Sequence, residues 1–316
     1  MNKIIYKFII AFFVLGFSSC IKEGQSTLVS DTNHIKYFGF TLIDTFWDDP
    51  SDTVVKTDYS NEVHEFSNMA DILVVNPSDN IVERMNAKAN LQMKSILHLN
   101  EIFFELVGTG GQSGVIYKLR NDYQNRWNEF VSVNQLQSSQ ELIQAFYIGE
   151  EPTWNSISFF DLKSATDYTK LTFPDIPILI IEAYTAINEL QIPTSVDWIG
   201  FDHYFIKNPN TDQTYRNELN LLKSKFTNNQ QKLVLIMDTH FIDFAHGDFG
   251  GIALNEMKDV ANNYYQLAKE ETLTIAILGY FWPSGFDVPE SIGARNMPLA
   301  VKNEYRRIGK EITGKK

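Results

Sequence analysis

Lys232-Leu233-Val234-Leu235-Ile236-Met237-Asp238-Thr239-His240 is the stretch that decides the fold. A strand with one wet face alternates apolar and polar residues, whereas this one is apolar at every position from Leu233 to Met237, as a parallel strand covered on both faces must be. It then breaks into polar residues at Asp238. Working outward, the same form recurs at Lys36–Ile43, Asp71–Val75, Ser95–Leu99, Gln144–Ile148, Ile178–Glu182, Asp197–Phe201 and Thr274–Gly279, which makes eight strands with Lys232–Met237. Longer amphipathic stretches lie between several of them, clearest at Ile81–Asn90, Val115–Val133, Tyr215–Phe226, Asn255–Glu271 and Leu299–Ile312. Alternating βα units of this number predict a single-domain α/β fold over residues 35–316, a (β/α)8 TIM barrel of the ~250-residue class. An open doubly wound sheet is the alternative. It lacks its chemical signature, because Thr41-Leu42-Ile43-Asp44-Thr45-Phe46-Trp47 stands where a Gly-rich phosphate loop would follow the first strand.

Composition narrows the function. Of 316 residues, 44% are hydrophobic and 21% charged, which excludes disorder and coiled coil. The net charge of −12 argues against a nucleic-acid partner, since phosphate binding needs a basic footprint. One cysteine excludes an internal disulfide framework and a Cys-rich zinc site.

That cysteine has a context. Residues 1–19 carry Lys3 and Lys7, no acid, and an apolar run from Phe8 to Phe17, the pattern of a secretory signal and short for a membrane span. Leu15-Gly16-Phe17-Ser18-Ser19-Cys20 resembles a bacterial lipoprotein signal, which implies that Cys20 becomes the lipid-bearing N-terminus. Residues 20–34, polar and rich in small side chains, then read as a tether. The expectation is a monomer held by acyl chains on a bacterial membrane of the cell envelope, most simply the outer membrane, with the barrel facing the periplasm or the surface.

The C-terminal ends of barrel strands carry the chemistry in this fold class. Here they carry Asp44 and Trp47, His98, Glu150 and Glu151, Glu182, Asp202 and Tyr204, Asp238 and His240, and Tyr280 and Trp282. Acids gathered at one mouth repel one another and raise each other's pKa, so they mark a site. Paired carboxylates with aromatic walls suit glycoside hydrolysis, in which one acid protonates the leaving oxygen while another attacks the sugar or activates water.

Phe146-Tyr147-Ile148-Gly149-Glu150-Glu151-Pro152-Thr153-Trp154 resembles the fourth strand of the (β/α)8 glycoside hydrolase superfamily, whose acid/base glutamate stands in an Asn-Glu-Pro sequence. The resemblance implies that Glu151 is the general acid, with Glu150 where the superfamily carries Asn. Asp197-Trp198-Ile199-Gly200-Phe201-Asp202-His203-Tyr204 is similar to a sixth strand whose Asp-x-Tyr end faces substrate. At the seventh strand Asp238 stands where the superfamily's nucleophilic glutamate usually does, so it is expected as nucleophile or base, with Glu182 as its rival. Asp44, Trp47, Glu150, Asp202, Tyr204 and Trp282 are the expected substrate contacts, Trp282 as an aromatic floor beneath a sugar. The substrate is then an oligo- or polysaccharide, no cofactor is expected, and both stereochemical outcomes stay open.

Two rivals stand beside this reading. A glycan-binding lipoprotein would keep the barrel and the aromatic platforms without catalysis. A metal-dependent hydrolase would use Asp202-His203 and Asp238-Thr239-His240, although the chain has no His-Glu-x-x-His helix and no His-x-His on the first strand.

Overall fold

The computed structural model describes residues 34–316, so the expected signal segment, Cys20 and nearly all of the tether lie outside the described residues. The elements run β1 (Tyr37–Phe40), α1 (Ser60–Val63), β2 (Met69–Leu73), α2 (Val82–Asn90), β3 (Lys94–His98), α3 (Asn100–Phe103), β4 (Phe104–Gly110), β5 (Gly114–Leu119), α4 (Tyr123–Val133) and β6 (Ile143–Glu150). They continue with α5 (Phe159–Thr172), β7 (Ile178–Ala183), β8 (Trp198–Asp202), α6 (Gln213–Ser224), β9 (Lys232–Asp238), α7 (Met257–Glu270), β10 (Thr274–Tyr280) and α8 (Leu299–Thr313). Eight parallel strands form one sheet in the order β1-β10-β9-β8-β7-β6-β3-β2, and each overlaps a stretch predicted from the sequence. The fold is a (β/α)8 barrel.

The seam between β1 and β2 is closed largely outside the regular ladder. Asn68 N–H donates to Phe38 O and Leu73 N–H to Asp44 O, both at 3.0 Å. The Asp71 carboxylate takes the amides of Leu42 and Ile43 at 2.9 and 2.7 Å. Gly39 permits this approach, because a Cβ there would stand 2.5 Å from Met69 O. Burial pushes the Asp71 carboxyl up to about 6 despite those two amides.

Strand parity divides the core into two. Met69, Ile96, Ala145, Tyr147, Leu179, Ile181, Trp198, Val234, Ile236, Ala276 and Leu278 fill the barrel. Alternate residues such as Phe38, Phe40, Leu97, Phe146, Ile180, Phe201 and Leu235 pack outward with the helices. Consequently a residue's parity says whether it tops the barrel or lies behind its wall.

Two expectations need correction. Val115–Val133 is not one helix: residues 115–119 belong to β5, which pairs antiparallel with β4, and the helix α4 begins only at Tyr123. The Gly-rich turn from Gly108 to Gly114 and the β-branched Val115 and Ile116 favour the hairpin over a helix there. Helix α5 was not foreseen, although Ser158 caps it by accepting a bond from the Asp161 amide.

Candidate active site

The mouth of the barrel is topped by inward residues of the strands and by the loops that follow them. His98 ends β3 in step with Ile96, and its ring stacks on Tyr147 with centroids 4.4 Å apart. Burial lowers the His98 pKa to about 4, which keeps the ring neutral. Asp202 ends β8 in step with Trp198, passing Gly200, where a Cβ would stand 2.6 Å from Ile181 Cγ1.

Glu150 and Glu151 are both delivered to the mouth, although neighbours on a regular extended strand face opposite sides. Two local departures explain it. The β6–β7 pairing shifts between Tyr147 and Gly149, and this bulge turns Glu150 inward, where the Tyr147 hydroxyl donates to its carboxylate. Glu151 then adopts a left-handed backbone at φ 41°, which turns the chain off the strand and aims its side chain across the mouth. Burial, then the charge of Glu151, pushes Glu150 up to about 8, while 40% of its side chain still meets solvent.

Glu151 and Asp202 share a side-chain hydrogen bond; burial, then the charge of Asp202, raises Glu151, while burial, then the charge of Glu150, raises Asp202 against the lowering effect of the shared bond. The pair therefore keeps a proton well above the usual carboxylate range. Tyr204 adds a bond from its hydroxyl to Asp202 Oδ2 at 3.4 Å, and its ring stacks on Tyr280 at 4.9 Å. Beside the pair lies a cavity of about 200 Å³ walled by Trp154, Tyr184 and Tyr204. Tyr184 is itself stacked at 3.8 Å on His203, whose Nδ1 lies 2.6 Å from Glu218 Oε2. The hairpin β4–β5 leans on the same loop, with Ser113 and Tyr117 amides donating to Trp154 O and Asn155 O at 3.2 and 3.0 Å.

Other residues singled out in the sequence lie elsewhere. Glu182 has the wrong parity, since Leu179 and Ile181 face into the barrel. It is fully buried behind the wall and accepts the amides of Thr153, Trp154 and Ala183 at 2.8, 3.2 and 3.2 Å. Those bonds hold the loop that follows Glu151. Asp44 does not face the cavity: Arg84 grips it at 3.0 and 2.7 Å, and the fully buried Lys88 bonds it as well as Asp58. Trp282 is 4% exposed and packs on Phe40 at 4.8 Å in the outer core, its indole N–H bonded to Glu62, so it is not a floor beneath a sugar. The inward aromatic at the eighth strand end is Tyr280. Trp47 remains half-buried at the rim, its N–H on Ser284 O at 2.9 Å and its ring edge-on to Phe286 at 5.1 Å.

Asp238 is fully buried. Phe205 N–H donates to Oδ2 at 2.8 Å, and His246 Nε2 stands 3.2 and 3.1 Å from the two oxygens. The Ile242 amide donates to His246 Nδ1 at 2.9 Å, which leaves the Nε2 proton for Asp238. Burial alone would raise this carboxyl, but His240, His246 and their bonds hold it well below the usual range. Asp238, His240 and His246 offer atoms within 4.8 Å of one another, the spacing a divalent cation asks for. N–H donors already engage both oxygens of the Asp238 carboxylate.

Asp287 was missed. It follows β10 on a loop, seven residues beyond Tyr280, and Tyr280 donates its hydroxyl to Asp287 Oδ1 at 2.7 Å. Reading only the ends of apolar runs gave no signal so far downstream.

No family model matches this chain, and no curated protein matches it. Solved structures do. A glucosidase from Croceicoccus marinus superposes with a TM-score of 0.57 at 10% identity, over 88% of this chain and 67% of that one. Xylanase 10B from Thermotoga maritima gives 0.53 at 13%, over 89% and 98%. A GH113 beta-1,4-mannanase gives 0.53 at 10%, over 86% and 99%. At such identities the likeness is one of fold: what this chain shares with these proteins is the (β/α)8 barrel.

Proposed function

We propose that the protein is a glycoside hydrolase acting on an oligo- or polysaccharide, with Glu151 as general acid. The carrying observation is the carboxyl pair Glu151–Asp202, which retains a proton at the edge of an aromatic-walled cavity. A protonated carboxylic acid in such a place gives its proton to the glycosidic oxygen as the C–O bond breaks. Trp154, Tyr184 and Tyr204 offer ring faces to the C–H faces of a sugar, while Asp202 and Glu150 offer acceptors to its hydroxyls. Glu182 and Asp238, both satisfied by N–H donors, hold the loops around the mouth. The fold neighbours that act on xylan, mannan and glucosides set the first substrates to try.

The N-terminal segment supports a cell-envelope location, with lipid on Cys20 holding the barrel near a membrane. Incubation of the full chain in detergent micelles with xylan, mannan and β-glucans tests the activity. Release of reducing ends that persists in a metal chelator is the expected result. Strong chelator inhibition would instead support cation chemistry at Asp238, His240 and His246.

A further inference from the structure

A general acid needs a partner, and the sequence placed it at Asp238 or Glu182. Both are sealed by N–H donors, Asp44 is tied to Arg84 and Lys88, and Asp202 shares the proton of Glu151. Asp287 is different. Its side chain is 32% exposed, and its negative charge reaches Glu151, where it helps to hold the proton on.

The topology sets the strands that lead to these two acids opposite each other. In the ring β1-β10-β9-β8-β7-β6-β3-β2, β10 and β6 stand four places apart, diametrically across a barrel of eight. Tyr280, at the inward end of β10, fixes Asp287 through its hydroxyl.

A second group points to the same place. His240 Nδ1 faces Tyr280 O at 3.2 Å and Asp238 Oδ1 at 3.3 Å, two acceptors, so the ring proton sits there. That leaves Nε2 fully buried, without a hydrogen-bond partner, 3.8 Å from Asp287 Oδ2, a lone pair facing a carboxylate oxygen, so it is Tyr280 that donates to Asp287. A buried nitrogen without a partner is costly, and the costs cluster at functional sites.

We infer that Asp287 is the catalytic base of the hydrolysis proposed above, taking the proton of an attacking water across the mouth from Glu151, with Tyr280 as its positioning residue. The inference rests on the glycosidase reading. The water oxygen forms its bond to the anomeric carbon as the bond to the leaving oxygen breaks. Asp287 gains the water proton and Glu151 gives its own to the leaving group. Solvent exchange then restores both carboxyls. Displacement by water on the opposite face inverts the anomeric centre.

Two measurements test this on the full chain with 2,4-dinitrophenyl glycosides of xylose, mannose and glucose and with the parent polysaccharides. NMR of the first-formed sugar reads the anomer before mutarotation, and inversion is expected, whereas retention overturns the assignment without any substitution. Asp287→Asn should lower kcat at least ~100-fold on the aryl glycosides too, since base catalysis is needed whatever leaves. Glu151→Gln should recover most of its rate on those activated substrates. Tyr280→Phe should lower kcat with KM unchanged. Melting curves confirm that each variant folds. Release lost in Glu151→Gln yet kept in folded Asp287→Asn overturns the base while the glycosidase reading stands; no release by the unaltered chain from any substrate overturns both.

Discussion

Glu151 gathers three local effects on one side chain: a left-handed backbone, a bond to Asp202, and burial that keeps the proton on. Replacing it with Gln keeps the shape and removes the proton, so turnover of natural glycans should fall by ~10²–10⁴-fold while the melting temperature changes little. The acid must be protonated to work, and its pKa is raised, so the rate should fall only as pH climbs above the ordinary carboxylate range. A pH profile whose alkaline limb lies near the unshifted value of 4.5 would remove Glu151 as the acid. That Glu151 stands at the mouth was legible in sequence, because it directly follows an apolar strand and precedes Pro152. Glu182 was misread for want of one count: period two from Ile181 turns it behind the wall. Trp282 was misread because the chain turns outward after Tyr280, and no local pattern announces that turn.

The strands were legible because burial on both faces leaves them uniformly apolar, whereas what interrupts that regularity was not. The bulge in β6 and the hairpin β4–β5 both depend on pairing partners, which a single run of residues does not show. The loop after β1 is fastened to α2 by Asp44, Arg84 and Lys88, with Lys88 wholly enclosed. Asp44→Ala would leave that ammonium with Asp58 alone, and denaturant unfolding should register a loss of about 3–5 kcal/mol. A loss under about 1 kcal/mol would mean that the pair is not buried as described. At the seam, Gly39→Ala would press a methyl against Met69 O, and about 1–3 kcal/mol should be lost as β1 and β2 part.

For the whole molecule, several acids are more comfortable protonated in the fold than in the unfolded chain. Burial raises Glu182 to about 7 and Asp71 to about 6. A raised carboxyl contributes stability that is full below its unfolded pKa of about 4.3 and is lost as pH rises through its folded value. For Glu182 alone that amounts to something on the order of 3 kcal/mol between pH about 4 and about 8. The melting temperature should therefore be higher at pH 5 than at pH 8, and Glu182→Gln should flatten the slope. A molecule equally stable at both would show these acids to be ordinary. The central claim, that the mouth is a carboxylate-dependent glycosidase, is met most directly by reducing-end release from xylan, mannan and β-glucan by the full chain beside Glu151→Gln. Release that falls at least ~100-fold in the folded variant is the result expected. No release by either, with glycan binding that survives the substitution, would contradict it and make the barrel a glycan-capturing module.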